Sequence, residues 1–199
     1  MGAPEGEVKK ILLVRGGFGK VYKGKLPQCD STIFAIRLDT GGGQGDKQFR
    51  NELQILLDYK HNNIISLVAY CDKEDAKIIV YEYASRGSLD THLSDARLNW
   101  IKRLNICIGV ATALNFLHRG VGTLEMVIHR DIKPENILLT SDWSAKLGDF
   151  GLSLISAINN ETDFVIDHAC GTQGYVDPLY LESRILTKES DIFVWCGFI

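Results

Sequence analysis

The spacing of the apolar residues changes from strand-like to helical near residue 88 of this 199-residue chain. Before that point the apolar residues form short runs, rich in β-branched side chains and broken by Gly and Pro, which is typical of antiparallel strands. The predicted strands are residues 11–14, 20–26, 32–38, 64–70 and 77–83. One helix is predicted between them at residues 46–59, because apolar side chains recur there at i, i+4, i+7 and i+8. These side chains are Phe49, Leu53, Leu56 and Leu57.

The second half of the chain is predicted to be mainly helical, and its longest periodic segment runs from Trp100 to Leu117. One side of this helix carries Ile101, Leu104, Ile108, Ala111 and Leu114. Their neighbours are also apolar, as in a buried helix. Short strands are predicted at residues 127–128, 137–139 and 145–147. A sheet-rich half followed by a helical half predicts an α+β fold of two lobes with a cleft between them, and a hinge at residues 82–87.

Charge and cysteine content narrow the function classes. The formal net charge is −3, so the chain lacks the basic excess that draws a protein to nucleic acid or to an anionic membrane. We find no apolar run of membrane-spanning length and no signal-peptide core in the first ten residues. The five cysteines are scattered without CxxC pairs, which is typical of reduced thiols in the cytosol.

The first segment that indicates a function is glycine-rich and lies at residues 14–21, between two predicted strands. Gly16, Gly17 and Gly19 would let a hairpin backbone approach phosphate oxygens and donate N–H groups to them. A plain glycine-rich turn is the alternative, because such segments are common. A dinucleotide-binding fold is disfavoured, since a strand and not a helix follows the glycines.

A sharper signal comes from two linked motifs, HRDIKPEN at residues 129–136 and DFG at residues 149–151. Phosphoryl transfer needs a carboxylate to orient and deprotonate a hydroxyl, oxygen ligands for Mg²⁺, and a cation on the transferring phosphate. The residues that can take these roles, in that order, are Asp131, then Asn136 and Asp149, then Lys133. A polar loop with an unrelated turn is the competing interpretation, and two motifs in this order between strands disfavour it.

With these motifs the chain resembles a eukaryotic protein kinase from Val8 to Ile199, and it is most similar to the plant receptor-like and receptor-like cytoplasmic kinases. The segments that carry the closer similarity are GGFGKVYKGKL, NELQIL, HNNIISLVAYC, IVYEYASRGSLDTHL, IHRDIKPENILL, GDFGLS, GTQGYVDPLY and LTKESDI. Lys133 resembles the form of the loop found in Ser/Thr-directed members. The resemblance implies one partial kinase domain, with a β-sheet N-lobe at residues 8–84 and an incomplete, mainly helical C-lobe at residues 85–199.

The resemblance also implies ATP and Mg²⁺ as cofactors and assigns residues to them. The nucleotide site would be formed by Gly16, Gly17, Gly19, Val21, Ala35, Arg37, Tyr81, Glu82, Ala84, Asn136 and Asp149. Tyr81 would be the gatekeeper at the back of the pocket, and the backbones of Glu82 and Ala84 would bind adenine. Mg²⁺ would be held by Asn136 and Asp149.

The catalytic set implied by the resemblance is Asp131, Lys133, Arg37 and Glu52. Asp131 would be the base, and Glu52 would pair with the cation on the third strand, which in this sequence is Arg37. A hydrophobic column linking the lobes would be formed by Leu56, Leu67, His129 and Phe150.

Arg130 marks the kinase class in which phosphorylation of the activation segment supplies an anion for this arginine. The segment would run from Asp149 to about residue 181, with Thr162 and Thr172 as the candidate acceptors. Two alternatives stay open: Thr172 positions substrate, and Thr162 is a solvated loop hydroxyl.

Departures from the kinase pattern bear on activity. Arg37 stands where the family has a lysine on the α- and β-phosphates, and its planar guanidinium is bulkier than an ammonium, so we expect weaker or mispositioned ATP. Lys20 and Lys23 are candidate substitutes for that lysine, and Val14 in place of the first loop glycine is a milder change. The match degrades after Asp191, before most of the central C-lobe helix, so we expect an uncovered apolar face and marginal stability.

The sequence therefore predicts a Ser/Thr protein kinase of the receptor-like group that phosphorylates protein substrates, without nucleic acid or membrane insertion. Its expected location is the cytosol or the cytosolic face of the plasma membrane, where a membrane receptor or its complex would be a partner. The alternative is a pseudokinase or truncated binding module, favoured by Arg37 and by the missing helices.

Overall fold

The computed structural model describes residues 11–16, 19–25, 32–38, 43–74, 76–120, 125–156 and 164–195. The first part of the fold is an antiparallel sheet with one helix packed on it. Its strands are β1 (Ile11–Gly16), β2 (Gly19–Lys25), β3 (Thr32–Leu38), β4 (Leu67–Lys73) and β5 (Ala76–Glu82). They lie in the order β1-β2-β3-β5-β4. The five predicted strands are therefore confirmed, with their ends shifted by up to three residues.

The helix α1 (Gly43–Asp58) confirms the helix predicted at residues 46–59 and corrects its buried face. Phe49, Leu53 and Leu56 are buried as predicted, but Leu57 is 46% exposed and Ile55 takes its place in the core. The reason is that α1 packs on two sides, against β4 and β5 and against the loop that follows residue 148, so its buried arc is centred nearer Ile55 than Leu57.

The longest helix, α2 (Trp100–Arg119), covers the predicted segment from Trp100 to Leu117. It begins after Asn99, whose Oδ1 accepts a hydrogen bond from the Lys102 N–H at 3.0 Å, and it ends at Gly120, which has a φ of 61°. Among the described helices, none is both long and apolar enough to cross a membrane.

The side of α2 singled out from the sequence is wrong. Ile101 is 67% exposed, Ile108 is 56% exposed, and of the five residues on that side only Leu114 is buried. The buried residues of α2 are Ile106, Cys107, Gly109, Val110, Ala113, Leu114 and Leu117. Apolar residues surround α2, so periodicity cannot choose a face. The small residues decide it, because a Cβ at Gly109 would lie 2.9 Å from the Asn63 side chain.

The rest of the chain forms short elements around α2. These are β6 (Gly87–Ser88), β7 (Met126–Ile128), β8 (Ile137–Leu139), β9 (Ala145–Leu147), β10 (Leu154–Ser156), β11 (Val165–Ile166), α3 (Pro178–Ser183), β12 (Ile185–Leu186) and α4 (Lys188–Trp195), with 3₁₀ turns at Leu89–His92 and Pro134–Asn136. Antiparallel pairing joins β6 to β8 and β8 to β9, β7 to β10, and β11 to β12. The strands predicted near residues 127, 137 and 145 are confirmed as β7, β8 and β9.

A short backbone junction fixes the first part of the fold against the second. The Ile65 N–H donates to the Leu147 carbonyl at 2.9 Å, and the Leu147 N–H donates to the Asn63 carbonyl at 2.8 Å. The Asn63 side chain also donates to the Ala145 carbonyl at 2.9 Å. One hydrophobic core runs across this junction from Phe49 to Phe150, so α1 and the loops after β7 and β9 hold fixed relative positions.

Exposed apolar side chains concentrate in two places, the outer face of α2 and residues 179–193. The second group includes Leu179, which is 72% exposed, and Phe193, which is 55% exposed. Apolar area of this kind is unfavourable in water. The finding agrees with the expected uncovered apolar face.

The two faces of α2 predict different outcomes for one substitution. Leu117→Ala, at a position with 0% exposure, should lower the free energy of unfolding by about 2–5 kcal/mol, because it removes apolar contacts and leaves a cavity. Leu104→Ala, where the leucine is 43% exposed, should change it by about 0.5 kcal/mol or less. Urea unfolding followed by circular dichroism measures both. Equal losses would contradict the assignment of the faces.

Candidate active site

Asp191 on α4 binds the backbone of the loop that carries the HRD motif. The Asp191 Oδ2 accepts a hydrogen bond from the His129 N–H at 2.7 Å, and its Oδ1 accepts one from the Arg130 N–H at 2.8 Å. His118 on α2 lies 2.9 Å from the same carboxylate. Arg130 has a φ of 69°, a backbone conformation that needs such support. In the sequence, Asp191 stood out only as the residue after which the kinase match degrades, and this contact was missed.

The Asp131 carboxylate is the centre of the site. It is 2% exposed, and both of its oxygens accept hydrogen bonds. Oδ1 accepts from the Thr172 hydroxyl at 2.6 Å and from the Thr172 N–H at 2.9 Å. Oδ2 accepts from the Lys133 ammonium at 2.8 Å and from the Asn136 amide at 3.1 Å. The structure therefore brings Lys133, Asn136 and Thr172, all singled out from the sequence, onto the Asp131 carboxylate.

Asp131 is ionised at neutral pH. Burial opposes ionisation, but the Lys133 ammonium and the Thr172 hydroxyl hold the pKa of the Asp131 carboxyl below its ordinary value. A carboxylate in this state is an acceptor only, so an incoming hydroxyl can bind it solely by donating its own hydrogen. That geometry suits the orientation of a nucleophilic hydroxyl.

The side-chain oxygens of Asn136 and Asp149 are suited to binding a cation that prefers oxygen ligands. Asn136 donates its amide hydrogens to the Asp131 carbonyl and carboxylate, so its remaining side-chain polar atom, Oδ1, is an acceptor. The Asn136 carbonyl accepts from the Gly148 N–H at 3.0 Å, which ties it to the residue before Asp149. Burial raises the pKa of the Asp149 carboxyl, and the Asp131 charge adds to the effect.

An amide oxygen and a carboxylate are ligands that Mg²⁺ accepts, with water or phosphate oxygens completing its shell. Across the described stretches of the chain, no group of three or more His, Cys, Asp and Glu side chains could hold a metal ion.

Glu52 on α1 is buried and is bound by Tyr81. The Tyr81 hydroxyl donates to the Glu52 Oε1 at 2.8 Å, and both residues are buried. Burial raises the pKa of the Glu52 carboxyl to about 8, and the Asp149 charge also raises it. The Arg37 backbone lies in β3, paired with Lys20 and Ile78. Its side chain falls outside the described residues, so the expected Glu52–Arg37 pair stays a prediction.

Asn51, the residue before Glu52, binds the segment that follows the DFG motif. Its Nδ2 donates to the Phe150 carbonyl at 2.9 Å, the Gly151 carbonyl at 3.2 Å and the Ser153 carbonyl at 2.6 Å. These contacts span about 100 residues of sequence. Sequence reasoning missed Asn51, because an asparagine on a helix gives no local signal for a partner so far along the chain.

Of the four residues predicted as a hydrophobic column, His129 and Phe150 are in direct contact, while Leu56, Leu67 and Phe150 belong to or border one core. The His129 and Phe150 rings meet edge to face, with centroids 5.0 Å apart. Leu56 and Phe150 belong to the main core, and Leu67 packs against that core while partly buried. The His129 ring also lies 3.1 Å from the Gly148 carbonyl.

The predicted nucleotide residues lie in neighbouring strands and in the connection after β5. Gly16 pairs with Gly19 at the end of the β1–β2 hairpin, while Gly17 lies outside the described residues. Val21 pairs with Ile36, and Ala35 pairs with Val80. The side chains of Val21 and Ala35 are outside the described part.

Backbone hydrogen bonds hold the hinge that is expected to bind adenine. The Glu82 N–H donates to the Ser66 carbonyl at 3.0 Å, and the Gly87 N–H donates to the Ala84 carbonyl at 3.0 Å. Ala84 is buried, with 1% exposure.

Lys23 does not take the place of the missing strand lysine. Its ammonium donates to the Tyr83 hydroxyl at 2.7 Å and lies 4.4 Å from the Tyr83 ring centroid. Tyr83 belongs to the predicted hinge, so the Lys23 ammonium contacts the hinge in this structure. The side chain of Lys20 lies outside the described residues.

The candidate regulatory residues are only partly described. Arg130 forms an ion pair with Asp167, which sequence reasoning did not single out. The Thr172 hydroxyl donates to Asp131 and accepts from the Lys133 ammonium at 2.7 Å, which favours the alternative that Thr172 positions substrate. Thr162 lies outside the described residues.

Comparisons with known proteins identify what the chain is similar to. The family model described as protein kinase domain matches residues 8–199. Three similar proteins come from Arabidopsis thaliana. Receptor-like protein kinase THESEUS 1 is 42% identical over 186 residues, which cover 92% of this chain and 21% of that protein. A protein named as a probable receptor-like protein kinase is 40% identical over 191 residues, covering 93% of this chain and 22% of its own length.

The third relative is named Probable serine/threonine-protein kinase PBL26. It is 38% identical over 190 residues, covering 93% of this chain and 45% of that protein. The chain therefore spans between about a fifth and just under half of the length of these relatives.

The bond between Tyr81 and Glu52 can be tested by removing one oxygen. Tyr81→Phe should lower the free energy of unfolding by about 1–3 kcal/mol, because it leaves a buried carboxyl oxygen without its donor. Tyr70→Phe is the matched control, since Tyr70 is 52% exposed, and it should change stability by about 0.5 kcal/mol or less. Chemical unfolding measures both, and an unchanged Tyr81→Phe variant would show that the bond contributes nothing.

The contacts of Asn51 predict a local effect. Asn51→Asp replaces the donor with an acceptor that faces three carbonyls, so backbone amides at residues 150–156 should exchange with deuterium about tenfold faster or more. Asn105→Asp, at an exposed position of α2, is the control and should leave that segment unchanged. Hydrogen-exchange mass spectrometry measures both. Equal exchange in the two variants would rule out Asn51 as a link between α1 and this segment.

Proposed function

Because the chain belongs to the protein kinase family, we propose that it transfers the γ-phosphoryl group of Mg-ATP to serine or threonine hydroxyls of proteins. We assign this activity to one partial kinase domain, with an N-lobe at residues 8–84 and a C-lobe at residues 85–199. The observation that carries the proposal is the Asp131 carboxylate, which is buried, ionised and surrounded by Lys133, Asn136 and Thr172.

The chemistry follows from that arrangement. Asp131 would accept the hydrogen of the substrate hydroxyl, orient its oxygen for attack on the γ-phosphorus and take up the proton. The new P–O bond would form as the bond from the γ-phosphorus to the β–γ bridging oxygen breaks, with ADP as the leaving group. The Thr172 hydroxyl now fills one acceptor position on Oδ1, and it would order the substrate residue beside the carboxylate. The Lys133 ammonium would balance charge between Asp131 and the transferring phosphoryl group.

Different residues would contact the metal, the phosphates and the adenine. Asn136 and Asp149 would hold Mg²⁺ through side-chain oxygens, and the bound metal would neutralise charge on the phosphates. Glycines 16, 17 and 19 would cover the phosphates, with Val21, Ala35, Tyr81 and the backbones of Glu82 and Ala84 around adenine. Arg37, oriented by Glu52, would contact the α- and β-phosphates.

The setting of this activity is proposed from the relatives. Two of the similar proteins are named receptor-like protein kinases, so we propose a role in receptor-like kinase signalling, with a membrane receptor or its complex as partner. The five cysteines are scattered without CxxC pairs, which is typical of a reducing compartment, so we propose the cytosol or the cytosolic face of the plasma membrane as the location.

The second candidate function is a pseudokinase or binding module that acts through partners. Two observations favour it. Arg37 occupies the position of the phosphate-binding lysine, and the described contacts of the Glu52 side chain come from Tyr81 and the Phe150 backbone. If Glu52 stays with Tyr81, the cation on β3 loses the group that orients it.

Phosphoryl transfer from radiolabelled ATP separates the two functions. In the presence of Mg²⁺, the chain should label itself or a generic basic protein substrate. Asp131→Asn should lower kcat by about 100-fold or more, because the acceptor of the hydroxyl proton is lost. Asp142→Asn, in an exposed turn, is the control and should keep the activity.

Arg37→Lys tests whether Arg37 is the cause of any loss of phosphoryl transfer. Labelling by Arg37→Lys alone would place the defect at the arginine and make the natural chain a binding module. Labelling by neither protein, with Mg-ATP binding retained, would overturn the proposed activity.

A further inference from the structure

Arg130 is a largely buried cation, and its anionic partner is Asp167 of the same chain. The side chain is 10% exposed, and its Nη1 lies 2.5 Å from the Asp167 carboxylate. Its Nε donates to the Leu152 carbonyl at 2.6 Å, and its Nη1 lies 3.4 Å from the Tyr180 hydroxyl. A guanidinium at this depth needs a compensating negative charge, because its desolvation is otherwise unfavourable.

Asp167 is placed for this role by its backbone. It follows β11, which pairs with β12, and its N–H donates to the Arg184 carbonyl at 3.1 Å. The second oxygen of its carboxylate accepts from the His168 N–H at 2.7 Å. Burial raises the pKa of the carboxyl, but the His168 N–H and Arg130 outweigh it and leave the pKa below its ordinary value. The carboxylate is therefore charged at neutral pH.

The position of Thr172 depends on the same stretch of chain. Thr172, which is bound to Asp131, lies five positions after Asp167. Gly171, just before Thr172, has a φ of 124°, and a Cβ there would lie 2.6 Å from the Arg130 carbonyl. The segment thus packs directly on the arginine that Asp167 neutralises, so an anchor at Asp167 limits where Thr172 can move.

We propose that Asp167 is a positioning residue that permanently supplies the anion for Arg130 and orders residues 164–177 without phosphorylation of that segment. This inference rests on the proposed function and adds its regulation: the site would be assembled in the unmodified chain. The resemblance implies a phosphate on the activation segment for the same arginine, whereas the structure provides a carboxylate.

Phosphorylation of Thr172 would act in the opposite direction. Its hydroxyl lies 2.6 Å from Asp131 Oδ1, so a phosphate there would place about −2 charge against a buried carboxylate. Repulsion would break the contact that holds the segment. Thr172 is consequently an unsuitable activating site in this fold.

Hydrogen-exchange mass spectrometry on phosphatase-treated protein tests the proposal. Mass spectrometry of the intact chain first establishes that no phosphate is present. In this state, residues 164–177 of the natural chain should be protected. Asp167→Asn keeps the size of the side chain but removes its charge, and it should raise exchange in the segment about tenfold or more. Asp142→Asn is the control of the same type and should leave the segment unchanged.

Two further comparisons keep the test decisive. Asp167→Glu retains the charge, so its segment should exchange more slowly than that of Asp167→Asn even if the asparagine variant is poorly folded. Exchange in β5, Ala76–Glu82, reports whether each variant keeps its fold. Equal exchange in the Asn and Glu variants would overturn the proposal. So would a natural chain whose segment is protected only after phosphorylation.

An activity measurement separates this inference from the proposed function. With whichever protein transfers phosphate, the natural chain or Arg37→Lys, adding Asp167→Asn should lower kcat and leave KM for ATP unchanged, and Asp167→Glu should restore most of kcat. An Asp167→Asn change that alters only KM for ATP would overturn the positioning role. If no protein transfers phosphate, the proposed function fails, and the exchange data still decide the role of Asp167.

Discussion

A carboxylate withdrawn from water is stable only when hydrogen-bond donors and positive charge replace its hydration. The Asp131 carboxylate meets this condition with donors from two parts of the chain, Lys133 and Asn136 in its own loop and Thr172 in the segment after the DFG motif. Because neither part alone satisfies both oxygens, the loop and the segment must be in place together. The geometry of the candidate active site therefore depends on this one buried charge.

Other polar contacts hold the surroundings of that charge. Asp191 binds the two backbone N–H groups just before Asp131, and Asn51 attaches α1 to the backbone after Asp149. Each contact joins residues that are at least 60 positions apart. The apolar core between α1 and Phe150 supplies stability, while the buried polar groups fix which backbone conformation the loops adopt.

Much of the fold was predictable, because strand alternation and helical periodicity are local properties. The five strands of the sheet, α1, α2 and three later strands follow from the sequence, and the family match confirms the α+β kinase fold and the resemblance. Periodicity failed where it carries little information. α2 is apolar on most sides, and its true face is set by the close approach of Gly109 to Asn63.

In the candidate site too, residues in local motifs were predictable and residues with distant partners were not. Asp131, Lys133, Asn136 and Asp149 lie in compact motifs and were predicted. Asn51, Asp167 and the contacts of Asp191 were missed, since their partners are distant in sequence and their residue types are common on surfaces. The bond from Tyr81 to Glu52 was missed for a related reason, because the predicted partner of Glu52 was a cation on β3.

We propose that Asp131, Asn136 and Asp149 converge on one metal–nucleotide cluster. The most direct measurement is a crystal structure of the chain with Mg²⁺ and a non-hydrolysable ATP analogue. We predict a metal ion about 2.0–2.1 Å from side-chain oxygens of Asn136 and Asp149, with the γ-phosphate facing Asp131 and adenine against the backbone of residues 82–84. A nucleotide bound elsewhere, or a metal that contacts neither Asn136 nor Asp149, would contradict this assignment of the site.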